Sequence, residues 1–108
     1  MRKWIGIAYQ GEKFCREFAR QVLAEQGIPM PSVDTPEQAH GWARVEQPAP
    51  FDIVVFNFLG APGHVGVCMG SGEFLHVEEG RTSRRERLGS PMWEARIEGF
   101  YRYVGGAQ

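Results

Sequence analysis

Along the first quarter of the chain, apolar positions fall at helical spacing. In "CREFARQVLAEQG", Phe18, Ala19, Val22 and Leu23 lie on one side, and Arg16, Glu17, Arg20, Gln21 and Glu25 lie mostly on the other. That is the pattern of a helix with one buried stripe. Gly27 and then Pro29 stop it, because glycine accepts the left-handed backbone of a helix end and proline cannot continue the hydrogen-bond ladder. "DTPEQAHGW" predicts a second, shorter helix, with Thr35 as N-cap, Pro36 at the first helical position and Gln38 as the reciprocal capping partner. His40 belongs to that polar helix and reads as solvated. Pro48 and Pro50 end the connection that follows.

After Pro50 the pattern changes. "FDIVVFNF" is rich in β-branched and aromatic residues and is bounded by Pro50 and "LGAPG", which predicts a mostly buried strand. "HVGVCM" and "EFLHV" predict two more, and "ARIEGFYRYV" a fourth after the polar segment "EEGRTSRRERLGSP". Helices first and strands afterwards point to an α+β fold, with N-terminal helices packed on an antiparallel sheet. In the polar segment, Arg81, Arg84, Arg85 and Arg87 are balanced by Glu78, Glu79 and Glu86, so the stretch reads as a solvated loop or an edge strand.

The hairpin "HVGVCMGSGEFLHV" carries a histidine near each end, and side-chain alternation decides how they are related. With Gly70 and Ser71 alone as the loop, the two imidazoles would point to opposite sides. A three-residue loop, Gly70-Ser71-Gly72 with Gly72 left-handed, pairs Met69 with Glu73 and Gly66 with His76. His64 and His76 then share a face as diagonal neighbours, about 7 to 8 Å apart at the backbone, with Gly66 leaving room between them.

Length and charge narrow the classes. At 108 residues the chain is expected to form one domain, residues 1–108, able to bury a core without obligatory disulfides or metal. A net charge of −1 supplies no footprint for nucleic acid or an anionic membrane surface, and no apolar run approaches a membrane span. Gln10, Glu12 and Lys13 interrupt the N-terminal segment too early for a signal-peptide core. The expected location is therefore the cytoplasm where the chain is made, with a virion or a dedicated secretion machine as the routes out. Cys15 and Cys68 read as free thiols.

Cys15 sits at or just before the first helical turn, where unpaired N–H groups and the helix dipole favour a thiolate. The same N–H groups suit the oxyanion of an acyl transfer. If the sheet face bearing His64 packs on this helix, His64 becomes the general base and His76 orients it and fixes its tautomer. Taken singly, each residue has a plainer reading: Cys15 as a small core side chain near Phe14 and Phe18, His64 as a strand-end imidazole on a carbonyl, His76 as a half-buried strand residue. Cys68 fits mid-strand burial on the histidine face, with no helix end to activate it. A zinc site from Cys15, His64 and His76 is the rival use of the same atoms, but the closely spaced ligand pairs that usually announce zinc are lacking. The expectation is no metal and no other cofactor.

The ordered blocks "YQGEKFC", "FDIVVF", "HVGVCMGSGEFLHV" and "GFYRY" resemble the NlpC/P60 cysteine peptidases, particularly short versions linked to bacteriophage tails. The hairpin is similar to the family's "HVGIY…GNGKFIHA" block, which sets His64 and His76 on the base and third-residue positions and Cys15 on the nucleophile. Tyr9 resembles the tyrosine that lines the family's active site shortly before the cysteine. "PFDIVVF" looks like the family's "PGDLVFF" strand, with Asp52 matching and Phe51 in place of glycine. The resemblance implies a papain-like core, hydrolysis of peptide bonds in peptidoglycan stem peptides, often between D-glutamate and diaminopimelate, and no metal. It also implies phage tail proteins as partners. Where the family reads "DCSG" or "DCWG", this chain has Phe14-Cys15-Arg16-Glu17. A structural tail component that has lost activity, and amide or ester acyl transfer on another substrate, are the other readings of the same residues.

Overall fold

The computed structural model describes residues 2–11, 13–30 and 41–105. A 3-10 turn, Arg2–Trp4, precedes helix α1, Phe14–Ala24. The strands are β1, Trp42–Val45; β2, Ile53–Phe58; β3, Ala61–Gly70; β4, Glu73–His76; β5, Arg84–Arg87; and β6, Ile97–Tyr103, with a short helix α2, Pro91–Glu94, before the last. They form one six-stranded sheet in the order β1-β6-β2-β3-β4-β5. Every neighbouring pair is antiparallel, so the fold is α+β as the order of patterns implied. No helix among the described residues is long and apolar enough to cross a membrane.

The predicted stripe of α1 is buried: Phe18, Ala19, Val22 and Leu23 form the helix side of the core, joined by Phe14. Gly27 takes a φ of 73°, and Ile28 N–H donates to Leu23 O at 3.0 Å, which ends the helix as its glycine predicted. Of the second predicted helix, residues 34–40, including His40, lie outside the described residues. At its far end Gly41 is a turn and Trp42 opens β1, so that end of the prediction is corrected. The four strands expected from their patterns are present. β1 and β5 are additions, β5 taking the edge-strand alternative for the basic run.

Alternation divides the sheet into two faces. Ile53, Val55, Val65, Val67, Leu75 and Val77 pack with α1 in one apolar cluster. Val54, Phe56, Cys68 and Phe74 pack with Leu88 and with Trp93 of α2 in a second. The β3–β4 register is the expected one through Val67↔Leu75 and Cys68↔Phe74, but then shifts to Gly70↔Glu73. The loop is therefore corrected from three residues to two, Ser71-Gly72 with φ of 54° and 74°, and the extra residue is a bulge at Met69. A primed two-residue turn matches the twist of the strands, and the bulge preserves the pairing beyond it.

One register step past Val67↔Leu75 sets Gly66 opposite His76. A methyl group on Gly66 would stand 2.8 Å from Phe74 Cδ2 and 3.4 Å from His76 Cβ, so the glycine is what admits both rings. Phe51, in the glycine position of the resembled strand, has a φ of 70°. It is held there by its N–H bond to Cys68 O, 2.8 Å, at a strain of about 1 kcal/mol. Asp52 next to it is buried and takes Arg102 in a two-nitrogen pair at 3.0 and 2.9 Å, and the Ala49 N–H at 2.7 Å.

The N-terminal stretch is tied across the molecule. Gly6 N–H donates to Ser83 O, Ser83 N–H to Ile7 O and Tyr9 N–H to Arg81 O, while the buried Ser83 hydroxyl donates to Trp4 O at 2.5 Å. These bonds set Tyr9 beside the head of α1.

Candidate active site

Cys15 is the second residue of α1. Lys13, the N-cap, gives no side-chain cap; the Phe14 N–H instead donates to the Tyr9 hydroxyl at 3.0 Å, so a tyrosine closes the helix head. A cavity of about 330 Å³ lies in front, lined by Tyr9, Cys15, His64, Phe58, Trp93 and Arg96 among others. A second hollow of about 500 Å³ continues past Cys15 and Tyr9 toward Lys13, Arg16 and Pro62. The sulfur thus sits where the two spaces meet.

Contrary to the condition set by the sequence, the face bearing His64 is not the one that packs on α1. The residue of β3 facing the helix cluster is Val65, whose backbone is close enough to the Cys15 sulfur to pull its pKa down. His64 points the other way, stacked on Trp93 at 5.6 Å between ring centroids. Thiol and imidazole reach one cavity from opposite sides of the sheet, around the exposed start of β3, where Ala61, Pro62 and Gly63 are uncovered.

The two histidines do share a face. His64 Nε2 and His76 Nδ1 are hydrogen-bonded at 2.7 Å, with ring centroids 5.0 Å apart and nearly perpendicular. His76 is 0 % exposed and its other nitrogen, Nε2, bonds Glu86 Oε2 at 2.7 Å. Glu86 Oε1 accepts the Trp93 indole N–H at 3.0 Å. Arg84 stands 2.8 Å from Glu86 Oε2 and also pairs with Glu78.

Electrostatics correct a second expectation. Burial pushes the Cys15 thiol above its ordinary value; the N–H groups of Val65, Arg16 and Cys15 and the Arg16 charge pull the other way without prevailing. The helix head therefore does not make a resting thiolate. Burial is also the main cause that drops His64 to about 3, aided by the His76, Arg96 and Arg84 charges. Burial lowers His76 as well, against the opposing pull of Glu86. For Glu86 burial acts upward, but bonds from His76 and Trp93 and the Arg84 charge outweigh it and hold the carboxyl below its usual range. Near neutral pH Cys15 is therefore a neutral thiol, His64 and His76 are neutral imidazoles and Glu86 is a carboxylate. Cys68, pushed up to about 12 by burial and the Asp52 charge, is a buried core thiol.

The profile of the NlpC/P60 family matches residues 4–102. The chain belongs to the NlpC/P60 family. Its sequence is 27% identical over 93 residues to the peptidoglycan DL-endopeptidase CwlO of Bacillus licheniformis, covering 83% of this chain and 21% of that protein; the chain thus spans about a fifth of its relative. Among solved structures, an NlpC/P60 family protein from Bacillus cereus superposes with a TM-score of 0.77 at 21% identity, over 96% of this chain and 38% of the other. An NLP/P60 family lipoprotein-like protein from Staphylococcus aureus gives 0.74 at 19%, over 96% and 39%. The NlpC/p60 domain of the peptidoglycan hydrolase SagA gives 0.66 at 23%, over 94% and 91%. At these identities the structures establish the shared fold.

Within this NlpC/P60 chain, sequence reasoning missed Glu86 and Trp93. Glu86 read as a counter-charge to the arginines. The signal was its period: β5 pairs His76 with Arg84 and Phe74 with Glu86, so Arg84, Glu86 and buried Leu88 share the histidine face while Arg85 and Arg87 look outward. Among the described residues, the group of donors close enough for a cation is His76, Glu78 and Glu86, within 4.8 Å. It is not the Cys15, His64 and His76 set weighed as a zinc site, and Arg84 already pairs with both of its carboxylates.

Proposed function

We propose that this NlpC/P60 chain is a cysteine peptidase acting on the stem peptides of bacterial peptidoglycan, with Cys15 as nucleophile, His64 as base and His76 as the group that orients it. The observation that carries the reading is that Cys15 and His64 line one cavity while His64 Nε2 is committed to a buried His76. Nδ1 of His64 is then the nitrogen left to take a proton.

Because both partners rest neutral, deprotonation accompanies attack. The Cys15 proton passes to His64 as the sulfur bonds the scissile carbonyl carbon. The resulting tetrahedral oxyanion collapses and expels the amine, which takes that proton from His64. Water, deprotonated by His64, then adds to the thioester and its breakdown returns the Cys15 thiol. Tyr9 is the substrate-binding residue in this scheme: its hydroxyl oxygen accepts from Phe14, and its own proton serves the bound peptide. The D-glutamyl–diaminopimelate bond is the proposed target, supported by the relative named as a DL-endopeptidase. The tail-associated setting belongs to the same proposal, supported by the resemblance of the residue blocks; detection of the chain in purified virions tests it.

Mass spectrometry of purified peptidoglycan after digestion tests activity and bond together. Cleavage is expected from the native protein and Cys68→Ala, and none from Cys15→Ala. An idle assembly component is the second reading, favoured by the burial that raises the Cys15 thiol. A native protein that leaves both muropeptides and iodoacetamide untouched decides for it.

A further inference from the structure

We infer that Glu86 fixes the proton positions on both imidazoles, and so decides that His64 presents a bare nitrogen to Cys15; this rests on the cysteine-peptidase reading for its catalytic consequence. The argument is a count of protons along one hydrogen-bonded chain. Trp93 Nε1 and the Arg84 guanidinium are donors only, and both meet the Glu86 carboxylate, at 3.0 and 2.8 Å. Glu86 is thus an ionised acceptor on both oxygens. Its Oε2 faces His76 Nε2 at 2.7 Å, so that nitrogen bears the proton.

A neutral imidazole has one N–H, which leaves His76 Nδ1 bare. Nδ1 faces His64 Nε2 at 2.7 Å, so the His64 proton sits at Nε2. Nδ1 of His64 is then unprotonated, as a base requires. Reversing any bond reverses both rings and moves the His64 proton to Nδ1, the nitrogen not bonded to His76. The carboxylate on the edge strand acts through His76 and is a positioning residue.

The fold supports the assignment. His76 has no exposure, and Phe74 and Trp93 flank it with ring centroids at 4.6 and 4.8 Å. Glu86 is held at both oxygens, so its orientation is set before substrate arrives.

Glu86→Gln in an Arg84→Met background tests this with a readout that packing alone does not move. The amide has one oxygen, and once Arg84, the charged donor on the Oε2 side, is removed, the Trp93 N–H, able only to donate, claims it. The NH2 group then donates to His76 Nε2, which moves the proton to Nδ1 of both histidines. Nitrogen-15 spectra of the imidazoles are expected to show Nε2–H on both rings in the native protein and in Arg84→Met, and Nδ1–H on both in the double variant. Hydrolysis should fall about 10²- to 10⁴-fold in kcat relative to Arg84→Met with KM little changed. Adding Trp93→Phe frees the amide oxygen for His76 and should restore Nε2–H, making the penalty of Glu86→Gln smaller in that background.

Nδ1–H on either histidine of the native protein overturns the proposal without any variant. So does a folded Arg84→Met/Glu86→Gln protein that keeps Nε2–H on both rings. The spectra need no substrate, so the predicted tautomer exchange in a protein that never cleaves peptidoglycan would sink the peptidase reading and leave the Glu86 assignment standing.

Discussion

The two faces of the sheet are built from the same strands and do different work. Under α1, Val65, Val67, Leu75 and Val77 meet Phe18, Val22 and Leu23: an apolar layer whose role is burial. On the other face the alternate residues of the same strands are Phe56, Cys68, Phe74, His64 and His76, under Trp93. There the rings exclude water from a chain of hydrogen bonds that ends at Glu86. A buried polar chain is tolerable only when every member has a partner, and the aromatic packing keeps the members aligned. One face holds the molecule together, and the other holds imidazoles at a chosen angle.

The sharpest test of that division is a pair of truncations. Phe18→Ala and Phe74→Ala each remove a buried phenyl and should each cost about 3 to 5 kcal/mol in denaturant unfolding. Phe74, whose ring lies 4.6 Å from that of His76, should also reduce kcat in the folded fraction at least tenfold, whereas Phe18→Ala should leave it within about twofold. Equal effects on kcat would break the division.

Gly66→Ala is the next largest. Its methyl group, 2.8 Å from Phe74 Cδ2 and 3.3 Å from Leu75 O, should cost about 1 to 3 kcal/mol by overpacking. Because it presses on His76 as well, activity should drop with stability.

Acid sharpens the comparison further. His64 is depressed in the fold to about 3 from an ordinary 6.5, so the unfolded chain binds the extra proton first. The stabilisation is present in full above the unfolded value and is lost as pH falls toward 3, at a slope approaching about 1.4 kcal/mol per pH unit. His64→Gln should flatten the unfolding profile between pH 6 and 4. An unchanged slope would show that the aromatic face does not hold this imidazole neutral.

The smallest expected effect lies off both faces. Ser71 occupies the first turn position with a φ of 54°, where asparagine is preferred. Ser71→Asn should therefore raise the unfolding midpoint by an amount worth about 0.5 kcal/mol without touching kcat.

How much of this could be read from residues alone follows the same division. The α1 stripe, the glycine stop, four strands and the pairing of Gly66 with His76 were legible because apolar periodicity or a turn residue encodes each. β5 was not resolved from a loop, because arginines and glutamates at an edge carry no apolar alternation. The bulge at Met69 was invisible, since a left-handed serine turn and a three-residue glycine loop differ only in backbone angles. Cys15 and Tyr9 were found at the helix head, whose N–H groups do pull the thiol down as expected, but burial outweighs them: sequence shows a helix end and does not show what buries the sulfur. Which face meets α1 stayed a condition at that level, because alternation fixes relative direction along a strand and leaves absolute direction to packing.

Ser83 joins the N-terminal stretch to the strand that carries Glu86, through a bond from Ile7 across 76 positions of sequence. Closing so long a loop is among the slower steps of folding. A nascent polypeptide therefore exposes its sulfur long before the imidazoles and the glutamate have been synthesised, and the cleft comes into being only when the two distant stretches dock. Ribosome-bound fragments of this protein lack the joined cleft, which forms only after the whole sheet has closed.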